Sequence, residues 1–200
     1  MILKEYQAGM SNLQHPDAEC VIARFRCWIE RVVIELNLCP FARKPYEGER
    51  VRYVVSDASE PALLLADLER ELDLLRETGA GEIETTLLIH PRVLTDFLDY
   101  NDFFSVIDAL LEQGGYAGEF QVASFHPDYR FAGTERDDAE NYTNRSPYPA
   151  LHVLREESIE RALAGFENPD RIPERNIRTM EKLGAEQMQA VLAECLAIKM

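Results

Sequence analysis

The stretch Thr85 to Gly115, TTLLIHPRVLTDFLDYNDFFSVIDALLEQGG, decides the fold class. Thr85-Thr86-Leu87-Leu88-Ile89 is short, β-branched and apolar, and His90-Pro91 ends it, so it reads as a strand. Leu94, Phe97, Phe104, Ile107 and Leu111 then recur at helical spacing up to Gly114-Gly115. The same order stands upstream. Val51 to Val55 reads as a strand, Ser59 and Pro61 open a helix with Leu65, Leu68, Leu72 and Leu75 on one side, and Gly79 and Gly81 close it. Downstream, Phe120 to Phe125 is a third strand that ends at His126-Pro127, as the second ended at His90-Pro91.

No helix follows that third strand. Asp128 to Pro149 is polar, aromatic and Gly/Pro-containing, and Tyr129, Phe131, Tyr142 and Tyr148 need packing, so it reads as an ordered loop. Ala150 to Leu154 resumes as a fourth strand, followed by helices over Glu156 to Phe166, Pro173 to Leu183 and Ala185 to Ile198. At the other end, Ile22, Phe25, Ile29, Val32, Val33 and Leu36 predict one helix from Pro16 to Leu38, stopped by Pro40. The expected fold is therefore an α/β sandwich of two or three layers. It has a small mixed four-stranded sheet, flanking helices and a C-terminal helical extension. Residues 1–15 read as an N-terminal extension and 16–200 as a single domain.

Composition bounds the function. The 200 residues are 46% hydrophobic and 28% charged, which is globular. Subtracting 36 acidic from 21 basic residues leaves a formal charge of -15, which disfavours nucleic acid and anionic membranes as partners. Without a secretory leader or a long apolar run, the expected location is the cytoplasm, where the four cysteines stay reduced. Gly79-Ala80-Gly81 follows a helix, so it is a turn and not a dinucleotide fingerprint, and no GxSxG or Walker pattern occurs.

In open α/β sheets ligands sit beyond the carboxyl ends of strands, where both His-Pro pairs fall. His90, His126 and His152 are therefore read as able to face one pocket, the first two as acid/base groups or metal ligands. The loop adds Arg145, flanked by Asn144 and Ser146, with Asn141 nearby and Arg155 just beyond, a set suited to gripping a carboxylate or phosphate. Asp138 is a candidate to orient a histidine, and Cys39, at a helix end before Pro40, a candidate nucleophile. The competing structural reading has Asp138 and Asn141 making turns and Arg145 tying down the loop. Cofactor, metal and oligomeric state stay open.

Asn37-Leu38-Cys39-Pro40-Phe41-Ala42, Glu84 to Pro91, Tyr100-Asn101-Asp102, Ala123 to Pro127, Phe131-Ala132-Gly133-Thr134 and Asn141 to Pro149 together resemble a bacterial family, domain of unknown function fourteen-fifteen. The likeness spans roughly Arg24 to Gly184 and implies a compact cytosolic bacterial domain; it brings no activity or cofactor with it. The expected function is that of a hydrolase or group-transfer enzyme acting on an anionic small molecule or modified peptide. The alternatives are a non-catalytic module binding a small anion or peptide, and an interaction protein whose acidic surface meets a basic partner.

Overall fold

The computed structural model describes residues 17–199; the 1–15 extension and Pro16 lie outside the described residues. Four strands, β1 (Val51–Val55), β2 (Thr85–Ile89), β3 (Phe120–Phe125) and β4 (Ala150–Arg155), form one sheet in the order β1-β2-β4-β3. β1 and β2 are parallel, and β4 runs antiparallel to both its neighbours. In register, His152 of β4 stands between Leu87 of β2 and Ala123 of β3.

Among the described residues seven α-helices surround it: α1 (Ala18–Trp28), α2 (Arg43–Glu47), α3 (Pro61–Glu77), α4 (Phe97–Gln113), α5 (Glu156–Ala164), α6 (Ile172–Leu183) and α7 (Ala185–Leu196). Because side chains alternate along a strand, the sheet has two apolar faces and each takes its own helical layer. Leu88, Leu151 and Val153 pack under α3 and α4, where Leu64, Leu68, Leu72, Tyr100, Phe103 and Ile107 are buried. On the other face Leu87, Ile89 and Ala150 meet Val21, Phe25, Trp28 and Val32, with Met180, Met188 and Cys195 closing that side. The architecture is thus a three-layer α/β sandwich, and the C-terminal helices α6 and α7 fold back onto the layer started by α1. No helix among the described residues is long and apolar enough to cross a membrane.

The expected faces of α3 and α4 pack on the core, and Leu64 and Phe103 join them as buried members, with Leu65 and Phe104 half-buried beside them. One local expectation is corrected. The first helix is not α-helical throughout. It widens to a π-helix over Ile29–Ile34, with Glu35 N–H donating to Glu30 O at 2.9 Å, then Leu38 N–H to Val33 O at 3.0 Å. Such segments cluster at functional sites. In the sheet, β4 lies between β2 and β3, so the two strands that end at His-Pro are not adjacent.

The long connection between β3 and β4 is packed, not loose. It coils into a 3₁₀ turn over Ala139–Thr143, and Tyr142 enters the core beside α6 and α7.

Candidate functional site

The histidines fall on two sides of the sheet. Ile89 and Phe125 point toward α1, so the next residues, His90 and His126, point toward α4, where both are fully buried. The Tyr100 ring packs against both, with centroids 5.7 Å from His90 and 5.1 Å from His126. Its hydroxyl donates to Ala150 O at 2.8 Å and accepts from Phe125 N–H at 3.1 Å. Asp96 positions that tyrosine by capping α4, its carboxylate accepting from Leu98 and Asp99 N–H.

The partners fix both tautomers. His90 Nδ1 lies 2.9 Å from the Val93 carbonyl, which can only accept, so Nδ1 carries the proton and Nε2 a lone pair. His126 Nδ1 instead accepts from Asp128 N–H at 3.0 Å, leaving the proton on Nε2. Neither Nε2 atom has a hydrogen-bond partner among the described residues. Burial pushes the His90 pKa down to about 4 against the opposing Val93 bond, and pushes His126 down against Asp128 and the backbone of Leu94 and Thr95. Both rings are neutral at pH 7. The His126 tautomer leaves no Nε2 lone pair for a metal, and no group of three or more metal-ligating side chains occurs among the described residues.

The loop's polar groups are turned on the loop itself. Arg145, 8% exposed, donates from Nε to Tyr129 O and from a terminal nitrogen to Arg136 O, and its guanidinium lies over the Tyr142 ring. The Asn141 amide accepts from Phe131 N–H and Thr134 Oγ1 and donates to Glu135 O. Asn144 donates to Ser124 O and Ser146 to Tyr148 O. The Asp138 carboxylate accepts from Glu135 N–H, not from a histidine. Arg155 is likewise engaged: its guanidinium donates to the carbonyls of Leu75, Thr78 and Ile83, closing the C-terminal end of α3. The structure therefore does not gather the expected anion-binding set into one pocket.

What it opens instead is a cleft of about 780 Å³ on the opposite face of the sheet. Leu87, Ala123, Phe125, His152 and Leu154 line the sheet side, Trp28, Ile29 and Val33 the π-helical side, and α5 and the Cys39–Tyr46 segment the rim. Of the expected residues it contains Cys39, His152 and Arg155. Its cations differ in freedom. Arg50 pairs with Glu84 and Arg155 is spent on carbonyls, whereas Lys44 is exposed with no ion pair among the described residues, and exposed Arg161 makes contacts only within its own helix, a 3.8 Å approach to the Glu157 carboxylate and hydrogen bonds to Glu157 O and Ser158 Oγ.

Cys39 is the one exposed cysteine among the described residues. Burial of the surrounding cleft raises its thiol pKa, and the Phe41 and Ala42 backbone N–H groups and Arg175 only partly offset this. The turn that presents it is held by α6, where Arg175 donates to Asn37 O and Asn176 to Leu38 O. His152 Nε2 lies 2.8 Å from Thr85 Oγ1, which itself donates to Val153 O at 2.5 Å. Burial alone pushes the His152 pKa down to about 4.

Sequence reasoning missed most of this cleft. Trp28, Phe125, Lys44, Arg161 and Thr85 line it, and the usable signals were the strand parity of His152 and Thr85 and the amphipathic α5, which buries no residue fully.

No curated protein and no solved structure matches the chain. The model of the family described as protein of unknown function (DUF1415) matches residues 20–190. With nearly the whole chain covered, the protein belongs to that family.

Proposed function

We propose that the protein binds a small amphipathic anion in the sheet-face cleft. One observation carries this reading: a cleft of about 780 Å³, within the range of small-molecule sites, has an apolar floor and a rim with two exposed cations. Its walls of Trp28, Phe125 and Leu87 suit an apolar body, and Lys44 and Arg161 suit a carboxylate or sulfonate at the mouth. In a chain of net charge -15, such cations are a local exception that gives an anion a preferred place to dock.

The probe is 8-anilinonaphthalene-1-sulfonate, which joins an aromatic body to a sulfonate. Calorimetry should find one site in the native protein, and Ala123→Ile, which grows a side chain into the cleft, should remove it while circular dichroism stays native. A Lys44→Glu/Arg161→Glu double variant should weaken binding about tenfold, and Arg145→Lys should leave it unchanged. Equal binding by the native protein and Ala123→Ile overturns the assignment.

A second reading, group transfer through Cys39, rests on the position of this residue in the cleft and the two backbone N–H groups that bond its thiol. It requires a thiol that ionises near neutrality. Iodoacetamide alkylation with a midpoint above pH 9, in the direction that burial imposes, rules it out.

A further inference from the structure

The deep end of the cleft carries a hydrogen-bonding instruction that burial and shape alone do not give. The Thr85 hydroxyl has one proton, and the 2.5 Å contact to Val153 O uses it. Toward His152 the Thr85 oxygen can then only accept, so the 2.8 Å contact places the imidazole proton on Nε2. Nδ1 is left with a lone pair. It makes no hydrogen bond to any described residue, and unlike Nε2 of His90 and of His126 it is not among the atoms shut off from solvent. The ring itself lines the cleft, tilted 33° to Phe125 with centroids 5.8 Å apart, and Phe125 in turn meets Trp28 edge-on at 5.0 Å.

Resting on the proposed amphipathic-anion site, we infer that its ligand is a hydroxyaryl carboxylic acid, whose hydroxyl donates to His152 Nδ1 while the carboxylate faces Lys44 and Arg161. The aromatic body follows from the Trp28–Phe125–His152 wall, which offers ring faces and edges to a flat molecule. The donor follows from the tautomer: an ether, carbonyl or second acceptor at this place would set one lone pair against another in an apolar surround, and a hydrocarbon would leave Nδ1 unpaired. Thr85 acts here as a positioning residue, since it fixes which nitrogen of the ring carries the proton.

The test compares three carboxylates of one shape against the full chain by calorimetry: 3-(4-hydroxyphenyl)propanoate, its methyl ether, and 3-phenylpropanoate. The hydroxyl compound should bind about tenfold or more tightly than the other two. His152→Phe, which keeps a ring and removes the acceptor, should reduce the three to equal affinity. Thr85→Val should shrink the preference while keeping the ring, because the proton is then free to move to Nδ1; this variant keeps the test open if His152→Phe fails to fold.

Equal affinity of all three for the native protein overturns the donor inference and leaves the cleft assignment standing. Binding of 8-anilinonaphthalene-1-sulfonate with no binding of any of the three overturns the hydroxyaryl class alone. Failure of every probe overturns both.

Discussion

The Tyr100 hydroxyl donates to the Ala150 carbonyl at 2.8 Å, tying α4 to the first residue of β4, and accepts from Phe125 N–H at the end of β3. A single buried hydroxyl thus joins a helix to two strands at the carboxyl end of the sheet. Tyr100→Phe keeps the ring between the two imidazoles and leaves a buried N–H and a buried C=O each short of a partner. We expect a loss of about 2 kcal/mol or more, lowering Tm by roughly 4–8 °C for a domain of this size. Urea denaturation of the variant checks it, and an unchanged midpoint contradicts it.

The buried histidines should make the fold acid-sensitive. Folding lowers the pKa of His90 from 6.5 to about 4, so as pH falls the unfolded chain takes up its proton first. The corresponding stability is complete above about pH 6.5 and is lost progressively as pH drops toward 4. His90→Gln cannot take that proton. It should flatten the dependence of unfolding free energy between pH 6.5 and 4.5 by up to about 1.4 kcal/mol per pH unit relative to the native protein. Parallel curves for the two proteins would show that His90 does not titrate on unfolding.

Arg145 should behave as a brace for its loop. Its guanidinium satisfies the Tyr129 and Arg136 carbonyls while stacking over Tyr142. Arg145→Lys retains the charge and loses the planar fork, so the expected cost is about 1–3 kcal/mol of stability with ligand affinity intact. Loss of affinity at full stability would return Arg145 to the binding site.

Much of the fold was legible because period and punctuation agree. Every strand was bounded to within a residue or so by a short apolar run, two of them ending at His-Pro, and α3 and α4 were marked by leucine and phenylalanine spacing. The site was harder to read for two physical reasons. Placing β4 between β2 and β3 is a long-range choice that neither strand encodes locally, and it separates His90 from His126 by a strand. Strand parity then sends His152 to the opposite face from both. Arg145 and Asn141 looked like ligand groups because the side chains that grip an anion are the same ones that satisfy an irregular backbone, and only the partners' positions distinguish the uses.

Gly114 is fixed by space, not by backbone conformation. It ends α4 at an ordinary φ of -78°, but a Cβ there would lie 2.4 Å from the Tyr116 ring and 2.9 Å from Leu110 O. Tyr116 is buried and hydrogen-bonded to Asp73 of α3, so its ring has little freedom to retreat. Gly114→Ala should therefore destabilise by about 1–3 kcal/mol although alanine is the better helix former. Equal or higher stability in a thermal melt would contradict this.

The sheet-face cleft proposed as the binding site has a built-in reporter, because the chain's single tryptophan, Trp28, lines it. Excited at 295 nm and titrated with 8-anilinonaphthalene-1-sulfonate, the native protein should show saturable quenching of Trp28 emission with matching growth of probe emission. Ala123→Ile should show neither. Saturable binding measured by calorimetry that leaves Trp28 emission unchanged would place the ligand elsewhere and rule out the cleft as its site.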